Sequence, residues 1–150
     1  MTKLDILVIS EEVEGSREEI LSYIADVLLK KSFVKEGYKE SLLERENKFP
    51  TGLYVNETFK VAIPHTETNF ANRNILVIVK PLNPVYFKRM DDPTTEIEVD
   101  IIFVLVIKEP DNYLKFLSKL TENLANEEFI KLVKDRDIRA ISEYINKFFD

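Results

Sequence analysis

Apolar residues along this chain fall into continuous, alternating and helically spaced patterns, and each predicts a different element. The continuous runs Ile75 to Val79 and Ile101 to Ile107 predict strands covered on both faces and central in a sheet. Leu4 to Ile9, β-branched and apolar ahead of an acidic stretch, predicts another strand. Phe59, Val61 and Ile63 alternate with Lys60 and Ala62, the period of a strand ending near Ile63. Val85-Tyr86-Phe87 is long enough only for an edge or hairpin element, and Met90 to Thr95, with Pro93 inside it, reads as loop. Helical spacing governs the rest. Ser16 and Glu19 have the separation of a capping box, and Ile20, Ile24, Val27 and Leu28 repeat behind them until Phe33 and Gly37 interrupt. Tyr38 to Asn47 is rich in helix formers, with Leu42 and Leu43 inward, and Pro50-Thr51-Gly52 ends it in a loop. Beyond Pro110, the residues Tyr113, Phe116, Leu117, Leu120 and Leu124 trace one stripe, and two short helices fit Glu127 to Lys134 and Ile138 to Phe148. Strands bracketed by helices predict a single layered α/β domain over residues 1–150, a mixed β-sheet covered by helices.

Composition narrows the function classes. With 45% apolar residues, 150 residues can bury one core. The formal charge is -6 and the basic residues are dispersed, which argues against nucleic acid as a partner. No apolar stretch approaches the ~20 residues a bilayer span needs, and the first residues lack a basic-then-apolar leader, so the expectation is a cytoplasmic protein without direct membrane insertion. Absence of cysteine removes disulfides, thiolate nucleophiles and cysteine metal sites. There is no glycine-rich P-loop with lysine, so direct use of ATP is unsupported, and no cofactor or metal is expected.

Against that background His65 stands out as the only histidine, at the end of Val61-Ala62-Ile63-Pro64-His65. A single histidine is more often a surface or core residue than a functional one. Here a proline before it and Thr66 after it leave the ring exposed at a strand end, where imidazole can act as nucleophile, proton carrier or ligand. Upstream, Arg45 near a helix end and the glycine of Pro50-Thr51-Gly52-Leu53 supply a cation and close backbone approach, parts that suit a phosphoryl group.

Taken in order, Arg45-Glu46, Thr51-Gly52-Leu53, Ala62-Ile63-Pro64-His65, the Ile101 to Leu105 strand and the leucine-rich Leu114 to Leu120 segment resemble the enzyme IIA components of the bacterial sugar phosphotransferase system, fructose and mannitol type. The resemblance spans roughly residues 15–148 and implies a mannitol-type IIA-like fold. It further implies a phosphocarrier in which His65 accepts a phosphoryl group from the carrier protein HPr and passes it to a cysteine-bearing IIB component, with a membrane-bound IIC downstream. By the same resemblance Arg45 would offset the phosphoryl charge, and the Thr51 hydroxyl or nearby amides would donate hydrogen bonds to its oxygens. An apolar rim of Phe49, Leu53 and Phe70 would keep water out, unless these residues are ordinary core. The stretches Phe49 to Leu53 and Val99 to Phe103 are most similar to the galactitol branch.

Many relatives carry a second histidine at the start of the leucine-rich helix, where this chain has Tyr113. A tyrosine can donate one hydrogen bond there but supplies no charge near neutral pH, and the alternative is a helix-start aromatic packed into the core. Two functions stay open on these grounds: transport, or a regulatory IIA-like module whose partner choice is switched by His65 phosphorylation. A hydrolase using His65 as base ranks third, for want of a visible nucleophile or metal. Glu67 could orient the ring through its second N–H or simply be solvated, and which ring nitrogen reacts is left open. The alternating Glu96, Glu98 and Asp100 read as a solvated edge, and Asp91-Asp92 and Glu11-Glu12-Glu14 as charged loops, rather than as metal ligands.

Overall fold

The computed structural model describes residues 6–135 and 137–149. In chain order the elements are β1 (Leu7–Val13), α1 (Arg17–Lys30), α2 (Tyr38–Lys48), β2 (Gly52–Asn56), β3 (Phe59–Ala62), β4 (Ile75–Pro81), β5 (Tyr86–Lys88), β6 (Glu96–Glu98), β7 (Ile101–Val106), α3 (Pro110–Asn123), α4 (Glu127–Lys134) and α5 (Ile138–Phe149), with a 3-10 turn at Thr68–Phe70. Five strands form a mixed sheet in the order β1-β4-β7-β3-β2, and β5 pairs with β6 in a separate antiparallel ribbon. β4 and β7 run antiparallel in the interior, while β1 joins β4 and β3 joins β7 in parallel. The two continuous apolar runs are therefore interior strands, as their composition predicts.

Alternation within those strands divides the core into two layers. Val77, Val79, Ile102 and Val104 face Ile20, Ile24 and Leu28 of α1 and Leu42 of α2. Leu76, Ile78, Phe103 and Leu105 face the other way, onto Phe116 and Leu120 of α3, Phe129 of α4 and Ile141 and Ile145 of α5. Each fully buried aliphatic or aromatic side chain contributes about 1.5–3 kcal/mol, so this double cover is the main stabilising term. The capping box forms as expected. The Ser16 hydroxyl accepts from the Glu19 N–H at 3.2 Å, and the Glu19 carboxylate accepts from the Ser16 N–H at 2.9 Å.

Three boundaries differ from the sequence reading. Leu4 and Asp5 lie outside the described residues, and β1 continues through Glu11 and Glu12 to Val13 because pairing with β4 extends to Pro81. An edge strand tolerates such acids, since only one side of it is paired. The loop expected after Thr51 is instead β2, antiparallel to β3. Glu96 and Glu98 do share an exposed face of β6, but Asp100 leaves that strand: its carboxylate accepts from the Lys60 N–H at 2.9 Å and pairs with Lys134 at 3.0 Å. Among the described residues no group of acidic or histidine side chains could hold a metal ion, and no helix is long and apolar enough to cross a membrane.

Candidate functional site

The site forms where β3 runs out. Pro64 has no N–H to continue a ladder, and its carbonyl accepts from the Leu105 N–H of β7 at 3.0 Å, which pins the residue before His65 to the central strand. His65 itself is only partly buried. Its Nδ1 lies 2.8 Å from the Ile63 carbonyl oxygen. A carbonyl can only accept, so Nδ1 carries the proton and Nε2 keeps its lone pair. Burial lowers the pKa of the ring, the bond to Ile63 opposes that shift, and the positive charge of Arg45 adds to it. Burial and Arg45 favour a neutral imidazole, and the bond to Ile63, although it opposes the shift, fixes the tautomer that leaves Nε2 nucleophilic.

Arg45 stands in the last turn of α2, with its guanidinium 4.6 Å from the centre of the Phe49 ring. Its Nε is buried without a hydrogen-bond partner, and it forms no ion pair among the described residues. A guanidinium beside a neutral imidazole, with no carboxylate partner among the described residues, can receive an anion. Tyr113, in the first turn of α3, brings its ring to 5.1 Å from the His65 ring. Burial raises its phenol pKa while Arg45 opposes the change, so Tyr113 remains a neutral donor at the edge of the same space. Next to these residues opens a cleft of ≈ 200 Å³ lined by Ser41, Glu44, Arg45, Lys48, Phe49, Thr66 and Glu67. Hydroxyls of Ser41 and Thr66 hydrogen-bond across it, tying α2 to the segment after His65.

Other expectations are redirected. Thr51 is buried, and both its N–H and its hydroxyl donate to the Glu46 carboxylate at 2.8 Å, so neither is free for a phosphoryl oxygen. Gly52 serves close backbone approach, but to the chain rather than to a ligand: a Cβ there would lie 2.5 Å from the Lys88 carbonyl oxygen of β5. Glu67 is exposed on the cleft, and the Nδ1–H of His65 goes to the Ile63 carbonyl instead. Of the proposed apolar rim, Phe49 is 59% exposed, whereas Leu53 and Phe70 pack against the two core layers.

Glu46 belongs to the Arg45-Glu46 motif, in which residue type alone assigns it no role. It is only 5% exposed, and burial pushes its carboxyl up to about 7 against the hydrogen bonds of Thr51 and the charge of Arg17. Its offset of five positions from Thr51 is the one available signal, but a glutamate in a final helical turn ordinarily reads as solvated.

A neutral imidazole, an arginine without an ion-pair partner among the described residues and a tyrosine meet where β3 ends on a mixed sheet, a combination that can receive an anion. The chain belongs to the family described as "Phosphoenolpyruvate-dependent sugar phosphotransferase system, EIIA 2", whose profile matches residues 4–148; its members are phosphotransferase components that carry a phosphoryl group in sugar uptake. It is similar to the PTS system galactitol-specific EIIA component of Escherichia coli K12, 29% identical over 132 residues, 88% of this chain and 87% of the relative. In fold it is similar to enzyme IIAMTL of Escherichia coli, solved in complex with phosphorylated enzyme IIBMTL, with a TM-score of 0.61, 19% identity and coverage of 85% and 83% of the two chains. Nitrogen regulatory protein IIA-Ntr from Neisseria meningitidis shares the fold at a TM-score of 0.61, with 20% identity over 97% of this chain and 92% of that one.

Proposed function

We propose that this protein is the IIA phosphocarrier of a galactitol-type sugar phosphotransferase system and works in the cytoplasm, with Nε2 of His65 as the phosphoryl acceptor. The observation that carries this reading is the Nδ1–H to Ile63 carbonyl bond, which aims the lone pair at Nε2 beside an arginine without an ion-pair partner among the described residues. In the accepting step the Nε2 lone pair forms an N–P bond as the N–P bond of phospho-HPr breaks and its electron pair returns to the donor imidazole. Nδ1 keeps its proton on Ile63, so the positive charge gained by the ring is shared with a carbonyl dipole. Arg45 meets the phosphoryl charge, and the Tyr113 hydroxyl can give one more hydrogen bond. In the onward step a thiolate of the IIB component attacks phosphorus and the N–P bond electrons return to Nε2. The low pKa of the ring suits it to both roles, since a protonated Nε2 could not attack.

The galactitol-specific relative, similar over most of both chains, favours the transport reading, whereas the likeness to the nitrogen regulatory protein reaches only the fold. Phosphorylated protein mixed with a galactitol-type IIB should lose its label to the IIB cysteine. Retention of the label with an active IIB, together with transfer to none of the IIB types offered, would overturn the transport assignment.

A further inference from the structure

Behind this site the Glu46 carboxyl is buried, and the transfer steps leave it unused. Both of its oxygens are bound to a single residue, Oε2 by the Thr51 N–H and Oε1 by the Thr51 hydroxyl, each at 2.8 Å. Thr51 in turn presents its carbonyl to the Ile63 N–H at 3.4 Å, and Ile63 presents its carbonyl to His65 Nδ1 at 2.8 Å. The Thr51–Ile63 link lies just beyond the paired residues of β2 and β3, which end at Gly52 and Ala62. At 3.4 Å it is longer than the ~2.9–3.0 Å of an ordinary N–H to O bond and cannot hold Thr51 by itself. Glu46 adjoins Arg45 in the last turn of α2, and the Phe49 N–H closes that turn on the Arg45 carbonyl at 2.7 Å. One carboxylate therefore joins the helix that carries the cation to the residue before β2, which meets the end of β3, and with it the imidazole, through the Thr51–Ile63 bond.

We propose that Glu46 is a positioning residue whose clamp on Thr51 sets the orientation of the His65 ring and its separation from Arg45; the proposal rests on the reading of His65 as phosphoryl acceptor. The clamp works in either protonation state. An ionised carboxylate accepts both Thr51 donors, and a protonated one keeps the Thr51 N–H on its carbonyl oxygen while donating its own proton to the Thr51 hydroxyl. Glutamine can copy the second arrangement through its amide, whereas alanine can copy neither.

The test uses the single histidine as its own probe. In protein carrying ¹⁵N-labelled histidine, wild type should show a protonated Nδ1 and an unprotonated Nε2 above the ring pKa. Glu46→Ala should show a mixture of the two tautomers, with phosphoryl transfer slowed about tenfold to a hundredfold, the scale of a misplaced reacting group. Glu46→Gln should restore the wild-type ring spectrum and most of the rate, whereas a merely stabilising Glu46 would leave the tautomer unchanged even in Glu46→Ala. If Glu46→Ala does not fold, Thr51→Val, which removes one of the two bonds, replaces it, and a partial loss of tautomer preference and rate is expected. A folded variant with wild-type tautomer and wild-type rate overturns the clamp. Should wild type accept no phosphoryl group, the functional reading fails, while the ring spectra still decide the clamp.

Discussion

Replacing Arg45 with glutamine should separate what the arginine does for the fold from what it does for the phosphoryl group. Its structural ties are few. The guanidinium packs 4.6 Å from a Phe49 ring that is 59% exposed, a contact of about 0.5–1 kcal/mol, and its buried Nε lacks a partner, so removing the charge relieves part of that loss. Folding stability should change by less than about 1 kcal/mol. The electrostatic effect is larger. A guanidinium about 4 Å from a phosphoryl charge gains about 1 kcal/mol in water and about 4 kcal/mol near a protein surface, and a half-buried side chain lies between, at about 2 kcal/mol. At about 1.4 kcal/mol per decade, the variant should accept and hold the phosphoryl group about 30-fold less well at nearly unchanged melting temperature. The assay is the rate and extent of phosphorylation from phospho-HPr, run alongside thermal unfolding. A second readout carries an independent sign: because Arg45 pushes the His65 pKa down, the ring in Arg45→Gln should titrate at higher pH than in wild type. A folded variant phosphorylated within about threefold of wild type, or one whose His65 pKa stays put or falls, would refute the electrostatic argument.

Other predictions follow from single contacts. Gly52→Ala should lower the melting temperature, since its Cβ would lie 2.5 Å from the Lys88 carbonyl oxygen and must push β5 away, at a cost of about 1–3 kcal/mol by calorimetry; an unchanged melting temperature would mean that the close approach is not a constraint. Tyr113→Phe keeps the ring beside His65 and removes only the hydroxyl, so transfer should slow by about threefold to tenfold, the worth of one neutral hydrogen bond, and an unchanged rate would remove the hydroxyl from the site. The Glu46 carboxyl sits at about 7 in the fold against an ordinary value of 4.5, so its contribution to stability is complete below 4.5 and is lost as pH rises through 7. Glu46→Gln lacks that loss, so its melting temperature relative to wild type should climb between pH 4.5 and 7; a flat or falling difference would contradict the buried, raised carboxyl.

How much of this was readable beforehand depends on whether an element's cause is local. β4 and β7 are covered on both faces, so each is written as an unbroken apolar run, and the capping box of α1 is complete within four residues. β2 has no such signature. Leu53 and Val55 are half-buried, Tyr54 is exposed, and a Pro-Thr-Gly turn signal precedes them, so only pairing with β3 makes the segment a strand. The acidic end of β1 is likewise strand because β4 extends beside it. His65 and Arg45 stand out in the sequence as a lone imidazole and a cation near a helix end, whereas Tyr113 enters only through the family resemblance, at the position of a second histidine. The bonding of Thr51 was not legible, because its partner Glu46 is buried by the chain folding back on itself, an event that residue type does not announce. The glycine beside it answers to β5, thirty-six residues further on at Lys88, which no local pattern records.

The central claim is that His65 takes up the phosphoryl group, and the most direct measurement is intact mass after incubation with phosphoenolpyruvate, enzyme I and HPr, for wild type and His65→Ala. One acid-labile phosphoryl group on wild type and none on the variant is the predicted result. A wild type left unmodified by active upstream components, or a His65→Ala protein that still gains the group, would contradict it.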